Sequence, residues 1–169
     1  MKRSITAGWL GVAAFLIAAV LAPVGGGAAV KPKPKPKPVA FTASYSGQAN
    51  VQNTDSVANI SVSGNGTGTL LGAGTISGTG TGDSSQQPCV PFSGPGSMSG
   101  PGGKVSFTVL SGAQGCGDEA GQVFSVVGHA TVTKGSGKLA NAKGTLRFTG
   151  VYDRGAGTFS VKFTGTLSH

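Results

Sequence analysis

Phe159-Ser160-Val161-Lys162-Phe163-Thr164-Gly165-Thr166-Leu167-Ser168 decides the fold. Phe159, Val161, Phe163, Gly165 and Leu167 fall on one side of an extended chain, and Ser160, Lys162, Thr164, Thr166 and Ser168 on the other. A period of two with one apolar face is the pattern of a strand that covers a core on one side and meets water on the other. Upstream, Phe124, Val126, Gly128, Ala130 and Val132 alternate in the same way with Ser125, Val127, His129, Thr131 and Thr133. A glycine-rich turn over Lys134–Gly144 leads into a further strand. Asp153-Arg154-Gly155-Ala156-Gly157 then reads as the hairpin loop between the last two strands. Gln122 to His169 therefore gives three consecutive strands.

The same reading extends toward the N-terminus. A first strand over about Val39–Val51 places Val39, Phe41, Ala43, Tyr45, Gly47, Ala49 and Val51 on one face. A second, Val57–Gly64, carries Ala58, Ile60 and Val62 and ends at Gly64-Asn65-Gly66, read as a turn. A third, Thr67–Gly80, presents Leu70, Gly72, Gly74, Ile76 and Gly78, and repeated glycine on an inward face suits tight sheet curvature. Gly82–Gly103, rich in proline, allows one short strand over Val90–Met98. Lys104–Leu110 is the fifth strand, followed by a loop over Ser111–Gly121. Eight short strands within the 131 residues from Val39 to His169 predict an all-β domain. The expected form is an antiparallel eight-stranded β-barrel, with a β-sandwich as the alternative. Closure would remove the free edges of such strands.

The segment from Val132 through Lys134-Gly135-Ser136-Gly137-Lys138-Leu139-Ala140-Asn141-Ala142-Lys143-Gly144 to Gly150, together with Gly157–Leu167, resembles dirigent-like and allene-oxide-cyclase-like barrel proteins, especially small secreted bacterial ones. The resemblance covers roughly the last 45 residues. It implies an eight-stranded barrel whose lumen binds an apolar small molecule in some members and directs a cyclisation in a few. The enzymes of that group place acidic and polar residues inside the barrel. Here Asp55, Asp83, Asp118, Glu119 and Asp153 all fall in expected turns or loops, and His129 lies on a polar face, so no catalytic residue is carried over. Tyr45 is the one inward polar side chain, a candidate contact for a ligand in the lumen.

The N-terminal part reads differently. Lys2 and Arg3 precede an apolar run from Ile5 to Val24 and a small-residue exit through Ala29. This is the layout of a secretory signal peptide over residues 1–29, and the run is also long enough to be a retained membrane anchor over residues 5–24. Residues 30–38 follow as a Lys-Pro tract in which each proline fixes its own φ and biases its neighbour away from helix, giving an extended spacer. Lys31, Lys33, Lys35 and Lys37 remain solvated on it, free to touch an anionic envelope surface. The barrel domain is expected over residues 39–169.

Charge narrows the partners. The net charge of +8 comes largely from the N-terminal residues, since residues 39–169 hold seven basic against five acidic side chains. No run of basic residues interleaved with aromatics marks a nucleic-acid interface. Cys89 and Cys116 are the only cysteines, and an even pair in an exported chain reads as one disulfide, closing about 27 residues and stabilising by roughly 3 kcal/mol. Asp118-Glu119 with Asp83 or Asp153 offers carboxylates but matches no calcium-loop spacing, so neither a metal nor a cofactor is expected. The sequence thus points to a secreted or cell-surface, non-enzymatic barrel of the cell envelope with a small apolar ligand. A cyclase or isomerase, and a surface adhesion or wall-packing module, are the alternatives. The oligomeric state has no sequence signal.

Overall fold

Alternation of apolar and polar residues closes here into a cylinder. The computed structural model describes residues 37–168; the stretch read as a signal peptide or anchor and all of the Lys-Pro tract except Lys37 and Pro38 lie outside them. The described residues form eight strands and their turns: β1 (Pro38–Thr54), β2 (Val57–Gly68), β3 (Gly72–Asp83), β4 (Cys89–Gly100), β5 (Gly103–Gly117), β6 (Val123–Gly137), β7 (Lys143–Asp153) and β8 (Thr158–Ser168). Each pairs antiparallel with the next, and β8 returns to β1, so the sheet is a closed up-and-down barrel. The sandwich alternative is thereby excluded.

One circuit of ladder partners measures the stagger of the barrel. Ala49 pairs with Val62, which leads through Gly78, Gly96, Phe107, Val132, Gly144 and Leu167 to Val39. The path returns to β1 ten residues from its start, 49 against 39. With eight strands such a stagger gives an interior that side chains fill, or that holds one small ligand.

Two sequence assignments move and one lengthens. Gly64-Asn65-Gly66 is not a turn but the middle of β2, paired with Gly47, Ser46 and Tyr45 of β1. The turn comes later, at Thr69–Leu71, and Leu71 rather than Leu70 is the fully buried residue. Glycine at 66 is required by close approach, because a Cβ there would lie 2.0 Å from the Ser44 carbonyl oxygen and 2.6 Å from the Tyr45 ring. The short strand expected over Val90–Met98 is present as β4 and extends to Cys89 and Gly100. Its ladder with β3 is interrupted at Gly94-Pro95, where Pro95 has no N–H to donate. Finally β5 runs on to Gly117 through a bulge at Leu110–Gly112, where Gly112 takes φ +102°, so Cys116 lies in a strand and not in a loop.

The interior has two unlike halves. At the end where β1 begins, Phe41, Leu71, Met98, Val105, Leu139, Leu146 and Leu167 are at most 1% exposed and pack into one cluster. Leu139 and Ala142 come from the β6–β7 turn and Leu71 from the β2–β3 turn, folded inward as a plug. The turns are laced across this end: Gly102 N donates to Leu71 O at 2.9 Å, and Lys138 N to Gly102 O at 2.8 Å. This end is sealed.

Candidate functional site

Along each strand the inward side chains change character toward the other end. On β8, Leu167 and Phe163 are buried, whereas Val161 and Phe159, on the same face, are half-buried. On β6, Val132 and Ala130 are buried and Val126 is half-buried. Inward residues that keep solvent exposure must line a space that reaches the outside. That space is a cavity of about 210 Å³ opening between the β1–β2, β3–β4, β5–β6 and β7–β8 turns.

Aromatic rings build its floor and one wall. Phe92 and Phe148 have ring centroids 6.2 Å apart, Phe148 and Phe163 5.6 Å, and Phe163 and Phe107 5.4 Å, all tilted. These separations suit the edge-to-face attraction of aromatic quadrupoles, which holds the rings in fixed orientation. Gly96 makes room, since a Cβ there would meet the Phe107 ring at 2.5 Å. Val51, Ile60, Val62 and Val126 complete the apolar wall.

The rim is polar. Asn53, Ser84, Gln87 and Arg154 border the opening. The Arg154 guanidinium lies 4.7 Å from the centroid of Phe124, which in turn packs on Tyr152 at 6.0 Å. Arg154 is also fixed through its backbone, its N–H donating to Gln122 O at 2.8 Å. The β1–β2 and β3–β4 turns are joined by Ser84 N donating to Ser56 O at 2.8 Å, so the mouth is a hydrogen-bonded ring of turns.

All five acids stand at this mouth: Asp55 in the β1–β2 turn, Asp83 ending β3, Asp118 and Glu119 after β5, and Asp153 ending β7. Three of them build turns. Asp83 accepts from the Ser85 hydroxyl and N–H and from Gln86 Nε2, Asp118 from the N–H groups of Gln122 and Val123, and Asp153 from Ala156 N. The Ser85 and Gln86 hydrogen bonds hold the Asp83 carboxyl below its usual pKa. No group of three or more potential metal ligands occurs among the described residues.

The residues singled out by sequence are dispersed. Cys89 and Cys116 are joined in a disulfide on the outer face, clasping β4 to β5 beneath the rim. Tyr45 points inward but is 3% exposed, and its hydroxyl has no hydrogen-bond partner. It packs in the core cluster and does not border the 210 Å³ cavity. Burial pushes its phenol above the usual pKa. Lys37 is exposed just ahead of β1, and Lys31, Lys33 and Lys35 lie outside the described residues. His129 is exposed on the outer face of β6. Val90 and Phe92 fall in the strand expected over Val90–Met98, but nothing in the sequence signals that both face the cavity. Comparison with protein-family models, with curated proteins and with solved structures gives no match.

Proposed function

We propose that this chain is an exported, non-enzymatic binding protein that holds one small apolar ligand in the cup of its barrel. The observation that carries this reading is the set of inward apolar side chains, Phe92, Val126, Phe159 and Val161 among them, that stay half-exposed around an open cavity. A dry apolar void of about 150 Å³ already accepts benzene. A cup of about 210 Å³ therefore suits a one- or two-ring aromatic or the end of an acyl chain, with any longer or polar part projecting past the rim. The lining includes no carboxylate, histidine or cysteine, so its serines, Thr79 and Tyr152 have no side-chain base within the cup to activate them. That composition favours retention of a ligand over its conversion, and over the cyclase reading suggested by resemblance. Export is supported by the disulfide, since such bonds persist in oxidising compartments.

The test is titration with a naphthyl fluorophore whose emission rises on leaving water, against the wild-type chain and Ala49→Trp. Ala49 borders the cavity and is half-buried, so an indole there fills the cup. The expected result is saturable one-to-one binding to wild type that the variant loses. Equal binding by both, or steady conversion of a bound ligand, overturns the reading.

A further inference from the structure

We infer that the sealed end of the barrel is a docking face for an anionic lipid bilayer, which holds the molecule with the mouth of the cup turned away from the membrane. The inference rests on charge placement and is independent of what the cup holds. Residues 39–169 carry nearly balanced charge, yet the topology sorts it. All five acids stand at the mouth with a single base, Arg154, while Lys104 opens β5, Lys134 lies near the end of β6, Lys138 is in the β6–β7 turn and Lys143 opens β7. These four are exposed and belong to one sector. Lys104 pairs with Ser136 two residues beyond Lys134, and Lys143 Nζ donates to the Thr133 carbonyl, the residue before Lys134, at 3.3 Å.

The described end of the Lys-Pro tract, Lys37 and Pro38, enters at the same sealed end of the barrel. Ser168 pairs with Lys143 on one side and with Pro38 on the other, so the chain enters β1 two strands from Lys143. Lys37 thus lies at the same end of the barrel as the domain lysines, and Lys31, Lys33 and Lys35 precede it by at most six residues. Arg147 and Lys162, outward on β7 and β8, continue the basic stripe toward the waist.

A bilayer is the partner that continuity of the chain selects. The apolar run that ends at Val24 is of membrane-spanning length, and it stops thirteen residues before Lys37. Each lysine close to an anionic leaflet contributes about fivefold in binding. The field decays over about 8 Å at physiological salt. Strands of 11 or more residues, rising roughly 3.3 Å per residue, place the acidic mouth several such lengths away. The basic end is therefore drawn down and the mouth is not repelled once it is.

The test is amide hydrogen exchange of the full chain on phosphatidylcholine vesicles and on vesicles in which about a third of the lipid is phosphatidylglycerol. The expected result is exchange at least about tenfold slower in the 138–142 turn on the anionic vesicles, with the 154–157 turn unchanged and the difference lost in high salt. Lys104→Gln, Lys134→Gln, Lys138→Gln and Lys143→Gln combined should abolish that protection while leaving the melting temperature in place. Protection equal on both lipids, protection at the mouth turns, or protection that survives the four replacements overturns the inference. So does equal protection by soluble polyglutamate without anionic lipid, which would make the partner a polymer.

Discussion

Cys89 and Cys116 are direct ladder partners on β4 and β5, their Cα atoms 3.9 Å apart and their sulfurs joined on the outside of the barrel. They clasp the two strands at the point where the register then shifts across the Leu110–Gly112 bulge. A bulge weakens pairing locally, so the clasp sits beside the least regular part of the sheet. With the cysteines 27 positions apart in sequence, the chain-entropy account gives about 3 kcal/mol. The double replacement Cys89→Ser, Cys116→Ser should lower the melting temperature by roughly 10 °C for a domain of this size, read by thermal circular dichroism.

The two halves of the interior should respond differently to truncation. Leu167→Ala, at a site with no exposure in the plug, is expected to cost about 3 kcal/mol because a void remains in a packed region. Val51→Ala, on the wall of the cup, should cost under about 1 kcal/mol, since its side chain already borders open space. Chemical denaturation of the two variants measures the contrast.

Tyr45 carries a buried hydroxyl with no partner. Tyr45→Phe removes that unsatisfied group and keeps the ring, so stability at neutral pH should hold or rise by about 1 kcal/mol. The pH dependence has a definite sign. Burial raises the folded-state pKa above the usual value, so the folded chain keeps a proton that the unfolded chain releases, and stability falls as pH rises beyond about 10. In Tyr45→Phe the alkaline loss seen in urea melts should be smaller.

Asp83 offers the opposite sign. Its carboxylate is held ionised by the Ser85 and Gln86 hydrogen bonds, so their support is present above the usual carboxylate pKa and is lost as pH falls through the lowered one. Asp83→Asn should speed amide exchange at Ser85 and Gln86 and remove its acid dependence, with little effect on global melting because the site is exposed.

Gly66→Ala tests whether β2 continues through its glycines. A methyl group there meets the Ser44 carbonyl and the Tyr45 backbone as well as the root of the buried Tyr45 ring, none of which can swing aside. A loss of at least about 2 kcal/mol in denaturant melts is expected, where an exposed turn glycine would show far less.

Strand phase was largely legible in the sequence. Phe124, Ala130, Val132, Phe163 and Leu167 turn inward where their alternation placed them. Boundaries failed where local chemistry imitates a turn. Gly64-Asn65-Gly66 has the composition of a hairpin, but the crowding by Tyr45 that demands glycine comes from a neighbouring strand. Pro91 and Pro95 did not hide β4, which was expected over Val90–Met98 and runs from Cys89 to Gly100, but the gap in the β3–β4 ladder beside Pro95 is a property of pairing. The candidate site was legible only in part. Its aromatic wall was visible in the alternation of β6 and β8, but whether the barrel is filled or hollow depends on Leu71 and Leu139, which sit in turns without periodicity. Charge segregation was invisible because Lys37, Lys104 and Lys143 come to one end of the barrel only through strand order.

The seam between β1 and β8 has a consequence for how the molecule is made. Val39 and Leu167 are partners although 128 residues separate them, 167 against 39. Every other adjacent pair can zip as the chain emerges, but this one waits for the last strand. Long-range pairing of this kind is slow and leaves transient strand edges exposed. Until residue 167 arrives there is no inside, and a chain cut short by a single strand would be an open, adhesive sheet.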